Sequence, residues 1–410
     1  KKKKHNKLKI LNDPIYGFIQ IPNSLIFDII EHPYFQRLRR ITQMGFSNLV
    51  YPGANHTRFH HALGAMHLMG ITLENLKNKG TEISDDEAQG ALIAILLHDI
   101  GHGPFSHTLE HSILDDVNHE NISSHLMHQI NAQMNGKLSL AIQIFENKYD
   151  RPFFHQLVSS QMDMDRLDYL RRDSFYTGVS EGTVGIERII QMLNVRNNQL
   201  IIDQKGIYSV EKFLMARRFM YWQVYLHKTS IAADELLLNI LKRAKALIDT
   251  QETLKVSPYL QFFLENSFSK HDLSNPDVIE NFCNLDDSEI YSAIKIWQNS
   301  NDKTLSTLCK MLINRDLLKI ELFDSPISSQ SVNEKISETS KHLNINLSDA
   351  SYFVSVGELK NNAYTSKGDS LKIGMKNGEF KELSETSEIY NLTNHQKPQV
   401  KYYITSLKLD

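Results

Sequence analysis

SDDEAQGALIAILLHDIGHGPFSH (residues 84–107) runs from a polar cap through a block of aliphatics into three histidines and an aspartate. Ser84 and Glu87 have the spacing of a capping box, and Asp85 and Asp86 add negative charge where the helix dipole favours it. The helix that follows is nearly all apolar through Leu97, so it reads as a buried central element. Gly101, Gly103 and Pro104 then stop it. His98 and Asp99 therefore fall at the last turn of a rigid core helix, where a ligand pair is held in place. The stretch by itself leaves open which of His98, Asp99, His102 and His107 bind a metal and which do chemistry.

The rest of the chain bounds the answer. Its 410 residues suffice for a sizeable core, as two domains or one large domain with an appendage. Apolar content of 41% and charged content of 23% are those of a soluble globular protein. A net charge of −3 argues against generic capture of nucleic acid, leaving room only for a local basic groove. The two cysteines, Cys283 and Cys309, form no CxxC, so neither a disulfide framework nor a thiolate zinc site is expected. The longest apolar run, Ala91 to Leu97, is too short for a bilayer, and Lys1–Lys4 is not followed by a signal-peptide core. These features lead us to expect a cytoplasmic protein with no membrane partner. Eighteen histidines, many between His56 and His128, point instead to metal or proton chemistry.

The pattern along the chain is helical over most of its length. Ile10 to Gln20 reads as extended, Pro22-Asn23 opens a helix, and Phe35, Leu38 and Ile41 continue at helical spacing. Arg58 to Leu76 forms another helix that Gly80 ends. Further helices are expected around 106–114, 119–131 and 155–173, and 208–248 reads as one long helix or a broken pair. NVRNNQLII (194–202) reads as a hairpin about Asn197-Asn198. Past the serine-rich stretch 325–331, VSVGELK, SLKIGMKNGEF and KYYITSLKL read as short strands. We therefore expect a mainly α protein: a helical domain over 1–325, with its metal-site core at about 50–175, and a smaller α+β part over 326–410.

A divalent-ion site needs nitrogen and oxygen ligands converging from separate elements. The candidates are His61 in TRFHHALG, the pair His98-Asp99, and an acid from SSQMDMDRLDYLRRD (159–173). In that last stretch Asp165, Asp168 and Asp173 share a helix with Arg166, Arg171 and Arg172. Charge pairing among these residues explains them equally well, since unpaired buried charge is costly. HDIGH also has the look of the HExxH of zinc proteases. That motif needs both histidines on one continuous helix face, which Gly101, Gly103 and Pro104 interrupt.

The ordered set RFHH, HDIGHGPFSH, NHE and DMDRLDY resembles the HD-domain phosphohydrolases. NDPIYG, FQRLRRI, QMG and YPGANHTRFHHALG are similar to their deoxynucleoside triphosphate triphosphohydrolase branch, which includes the vertebrate enzyme carrying a sterile alpha motif. The likeness runs collinearly from about Leu11 to about Lys228. It implies an HD-domain helical core with a smaller α+β C-terminal part. It also implies four metal ligands, His61, His98, Asp99 and Asp165, for Fe, Mn, Ni, Zn or Co, with Mg as a further cofactor. By the same resemblance His107 is the catalytic histidine with Glu110 as its carboxylate partner, and His119 with Glu120 forms a second histidine–acid pair. His102, Arg58, Arg166 and Arg217 fall at phosphate-contacting positions. Tyr169, Asp173, Tyr225, Gln43 and Met44 fall around the deoxyribose.

The implied reaction is water attack at the α-phosphorus of a dNTP, releasing deoxynucleoside and inorganic triphosphate. Chemistry agrees: guanidinium forks suit phosphate oxygens, and a histidine held by a carboxylate can move a proton. Some relatives are switched on by GTP or a dNTP between subunits of a dimer or tetramer. The matching positions here are Glu31, Gln36 and Arg39, with Lys9 to Asn12 nearby. Glutamate at position 31 stands where those relatives have aspartate, which puts guanine specificity there in question. Leu226 likewise replaces a glutamine of the vertebrate enzyme. Two other readings compete: a different HD reaction on a phosphodiester or monophosphate, and a non-catalytic nucleotide sensor or nucleic-acid-binding protein with a relic site.

Overall fold

The computed structural model describes residues 9–105, 108–109, 117–361, 371–387 and 399–409. The helices that position the site are α1 (Arg58–Asn78), α2 (Asp85–Leu97), α3 (His119–Gln133), α4 (Met164–Thr177), α5 (Ile207–Met220) and α6 (Lys228–Asp249). The capping box expected at Ser84 forms as read: Ser84 Oγ accepts from the Glu87 backbone N–H, and the Glu87 carboxylate accepts from Ser84 N–H at 2.8 Å. The aliphatic positions Ile93 through Leu97 of α2 are at most 1% exposed; α1 and the short helices Ser139–Phe145 and Phe153–Val158 pack against α2, and α4 packs against α1.

The expected helix over 155–173 is in fact two, Phe153–Val158 and α4. The break has a local cause. Asp163 accepts from the Arg166 backbone N–H at 2.7 Å and from Ser160 N–H at 2.7 Å, so it caps a new helix instead of continuing the old one. The 208–248 stretch is the broken pair: α5 ends in a π-turn over Tyr221–Tyr225 before α6 begins. The run after Glu31 is a single α-turn, Pro33–Gln36, followed by a 3₁₀ turn over Arg37–Arg40.

Strands are few. β1 (Ile10–Asp13) and β2 (Gly17–Gln20) form an N-terminal hairpin. β3 (Leu193–Arg196) and β4 (Gln199–Asp203) turn through Asn197 and Asn198, both at positive φ, a conformation asparagine tolerates. β5 (Lys319–Phe323), β6 (Ser355–Asn361), β7 (Lys372–Gly374), β8 (Phe380–Glu382) and β9 (Gln399–Ser406) complete a mixed sheet ordered β3-β4-β7-β8 and an antiparallel sheet ordered β5-β9-β6. Residues on both sides of position 326 therefore share sheets. Phe353, Ile373 and Leu383 also belong to the same apolar core as α1 and α2. Among the described residues no helix is long and apolar enough to cross a membrane.

Candidate metal centre and its cavity

Three elements bring four candidate donors together. α1 supplies His61, the C-terminal end of α2 supplies His98 and Asp99, and the first turn of α4 supplies Asp165. The turn beyond Asp99 is clamped from two sides. Arg37, fully buried, donates to the His102 carbonyl at 2.6 Å and the Ile100 carbonyl at 3.1 Å. Ser123 Oγ donates to the His98 carbonyl at 2.7 Å and accepts from Gly101 N–H at 2.9 Å. A Cβ on Gly101 would meet the His119 carbonyl oxygen at 2.2 Å, so only glycine lets α3 approach so closely.

The donor geometry fits a divalent cation. At donor–metal distances of about 2.0–2.2 Å, neighbouring donors stand about 2.8–3.1 Å apart at right angles and about 3.3–3.6 Å apart at a tetrahedral angle. His61 Nε2 lies 3.0 Å from Asp165 Oδ1 and 3.3 Å from His98 Nε2. His98 Nε2 lies 3.3 Å from both Asp165 Oδ1 and Asp99 Oδ1. The far nitrogens fix the tautomers. His98 Nδ1 meets the Ile95 carbonyl at 2.6 Å, which only an N–H can satisfy, and His61 Nδ1 meets Asp168 Oδ2 at 2.8 Å. Both Nε2 lone pairs are thereby turned toward the common point, as metal-ligating histidines require.

Electrostatics favour a cation there. Burial alone would lower the His61 imidazole's proton affinity, but Asp165 and Asp168 outweigh it and push its pKa up to about 10. Burial likewise opposes the charge on Asp165, yet contacts with His61 and His98 hold that carboxyl well below the usual range. Behind His61 runs a chain of buried ion pairs. Asp168 binds Arg172 at 2.9 Å, and Arg172 reaches Asp13 in the N-terminal hairpin at 2.8 Å. Despite its burial, Asp168 is lowered to about 2, chiefly by Arg172 and His61. A Cβ on Gly64 would meet Asp168 Oδ1 at 2.1 Å, so this chain also depends on a glycine.

Asp99 and Asp165 open onto a cavity of about 520 Å³, a size suited to a small-molecule ligand. Arg58, His102, His119, Arg166, Tyr169, Asp173, Tyr225, Gln43 and Met44, all expected around substrate, line it. Arg58 donates to Asp99 Oδ2 at 2.6 Å, and Arg166 pairs with Asp163. Arg217 donates to Gln161 at 3.1 Å and lies 5.8 Å from the ring centroid of Tyr221, a cavity residue. The Nε atoms of all three arginines are buried without a hydrogen-bond partner among the described residues. The His102 and His119 rings stack at 3.9 Å, and burial, with the charge of Arg58, holds His102 toward its neutral form. Asp173 is held between His56 Nε2 at 2.6 Å and the Tyr225 hydroxyl at 2.7 Å.

His107 and Glu110 lie outside the described residues. Glu120 is exposed at the start of α3. Of the residues expected at a regulatory site, Arg39 donates to Gln36 Oε1 at 2.9 Å and lies over the Phe59 ring at 3.6 Å. Glu31, at the C-cap of the short helix Ser24–Ile30, and Asn12, in the N-terminal hairpin, are exposed. Residue spacing did not single out Arg37, Ser123 or Asp234, because their partners lie far away in sequence, and Ser230 is placed at the cavity only by the fold. An arginine inside FQRLRRI beside buried Phe35 and Leu38 was the one available hint.

Two family models match the chain, the HD domain over residues 58–171 and the HD associated region over 184–258. The crystal structure of a phosphohydrolase from Bacteroides thetaiotaomicron superposes with a TM-score of 0.95 at 51% identity, covering 98% of this chain and all of that one. The uncharacterized protein YwfO of Bacillus subtilis is 34% identical over 93% of this chain and 88% of its own length. A Dictyostelium discoideum deoxynucleoside triphosphate triphosphohydrolase SAMHD1 homolog is 30% identical over 62% of this chain and 51% of its own. The chain belongs to the HD-domain phosphohydrolases. Its class is thus a hydrolase whose His–Asp cluster fits a divalent metal.

Proposed function

We propose that this protein hydrolyses deoxynucleoside triphosphates to deoxynucleoside and inorganic triphosphate. The observation that carries the reading is three arginines, each with an unpartnered buried Nε, gathered at or beside a cavity into which a divalent-metal donor set opens. Buried guanidinium donors without acceptors are costly unless a ligand completes them, and a triphosphate supplies many oxygens. The resemblance to SAMHD1-type enzymes supports the same substrate class.

His61, His98, Asp99 and Asp165 would hold the cation, among Fe, Mn, Ni, Zn and Co, with Mg accompanying the triphosphate. Bound there, it lowers the pKa of water and draws charge from a phosphoryl oxygen. In the reaction an oxygen–phosphorus bond forms between water and the α-phosphorus, and the bond from that phosphorus to the 5′ oxygen breaks. A proton leaves the water and another reaches the 5′ oxygen. Arg58, Arg166 and Arg217 neutralise the triphosphate, and neutral His102 contributes a hydrogen bond to it. Tyr169, Asp173, Tyr225, Gln43 and Met44 enclose the sugar. Proton transfer falls to His107 backed by Glu110, with His119 and Glu120 as a second pair. Glu31, Gln36, Arg39 and Asn12 are the proposed contacts of an activating GTP or dNTP in a homodimer or homotetramer.

The test is product analysis of dNTP incubations with Mn²⁺ or Mg²⁺. Inorganic triphosphate with deoxynucleoside is the expected outcome, and deoxynucleoside monophosphate with pyrophosphate contradicts it.

A further inference from the structure

α6 supplies no metal donor, yet it presents two polar side chains to the same cavity. Ser230 and Asp234 are four residues apart, hence on one helix face, and both line the cavity. Ser230 is 4% exposed, and its hydroxyl has no hydrogen-bond partner among the described residues. Asp234 Oδ1 accepts from Thr108 Oγ1 at 2.7 Å. Burial pushes this carboxyl up to about 7, against the pull of that one bond and with the charge of Glu235 adding to it. An ionised carboxylate accepts at about four lone-pair positions, and among the described residues only Thr108 donates to this one. A buried hydroxyl and an under-supplied carboxyl facing one cavity await a partner that brings donors. Phe105 and Leu226 line the cavity too and supply apolar surface.

We propose that Ser230 and Asp234 read the nucleobase, and that guanine is the base they prefer. This rests on the reading of the cavity as a nucleotide site. Guanine offers N1–H and the 2-amino group as adjacent donors for the carboxylate, with O6 beside them as an acceptor for the Ser230 hydroxyl. Adenine and cytosine set a ring-nitrogen acceptor beside their amino group, facing that acceptor to the carboxylate. Thymine flanks its one N–H with two carbonyls. Leu226, also in the cavity wall, has no side-chain hydrogen-bonding group to offer a base.

The experiment is a four-dNTP panel of kcat/KM on wild-type protein, Asp234→Asn and Ser230→Ala, with folding checked by circular dichroism. Wild type is expected to prefer dGTP. Asp234→Asn keeps an acceptor for Thr108 but replaces the other oxygen by a donor, so dGTP should fall about tenfold or more relative to dATP. Ser230→Ala should shift the ratio the same way by less. Calorimetric binding of 2′-deoxyguanosine and 2′-deoxyadenosine to the metal-loaded protein gives a second readout that needs no turnover. Absence of triphosphate release from every dNTP overturns the functional reading, and the base proposal is then judged on nucleoside binding alone. Wild type without a guanine preference, or Asp234→Asn lowering all bases alike, overturns the proposal.

Discussion

The two faces of α4 carry the same residue types and treat them differently. On the inner face every charge is matched: Asp168, Arg172 and Asp13 form a closed buried chain that ends on His61 Nδ1. On the cavity face, among the described residues, Asp165 pairs with the two imidazoles alone, and Arg166 keeps a buried Nε with no acceptor. The satisfied face holds the fold. The unsatisfied face marks where a cation and an anion are to come, because buried polar groups without partners are otherwise selected against.

The contrast breaks most visibly if the cavity face is altered. His98→Ala or Asp165→Asn removes a donor from the set, so metal content measured by mass spectrometry should fall. Dephosphorylation should drop on the order of 10³-fold with it. Retained metal in both variants would mean that the donors are misassigned.

Arg172→Ala cuts the inner chain and leaves Asp168 and Asp13 buried without their partner. A loss of about 3–5 kcal/mol in denaturant unfolding is expected. Arg217→Ala, on the cavity side, should move the unfolding midpoint far less while raising KM for the triphosphate about ten- to a hundredfold. Equal destabilisation by the two variants would erase the distinction between the faces.

The smallest expected effect lies away from both faces, at the cap of α2. Burial disfavours the Glu87 charge, but hydrogen bonds from Ser84, Arg151 and Tyr149 lower its pKa to about 2. Its unfolded value is near 4.3, so its contribution is full above that pH and is lost as pH falls through about 2. Glu87→Gln should therefore flatten the acid limb of the unfolding midpoint between those values and leave neutral activity in place.

The sequence made α2 and its cap readable because both are local: a box three residues wide and an aliphatic run. His98-Asp99 at the end of α2 followed from glycine and proline alone. The split of 155–173 was not readable, since Asp163 caps α4 with the same residue type that charge pairing would use. Both sequence-level readings of that acidic stretch apply, to different residues: Asp163 and Asp168 pair with arginines, and Asp165 faces the histidines. Arg37 and Ser123 were not readable because their bonds cross 65 and 25 residues, and the Asp173 partner of His56, a histidine expected at the surface or behind the site, lies 117 residues away. Spacing carries no trace of such contacts. The division at 326 followed a real change in composition, yet β5 and β9 pair across it.

The account turns on water attacking the α-phosphorus and expelling the 5′ oxygen, and hydrolysis in H₂¹⁸O tests that step directly. Mass spectrometry of the products should find one ¹⁸O in inorganic triphosphate and none in the deoxynucleoside. Label in a deoxynucleoside monophosphate, or in the 5′ hydroxyl of the nucleoside, would contradict it.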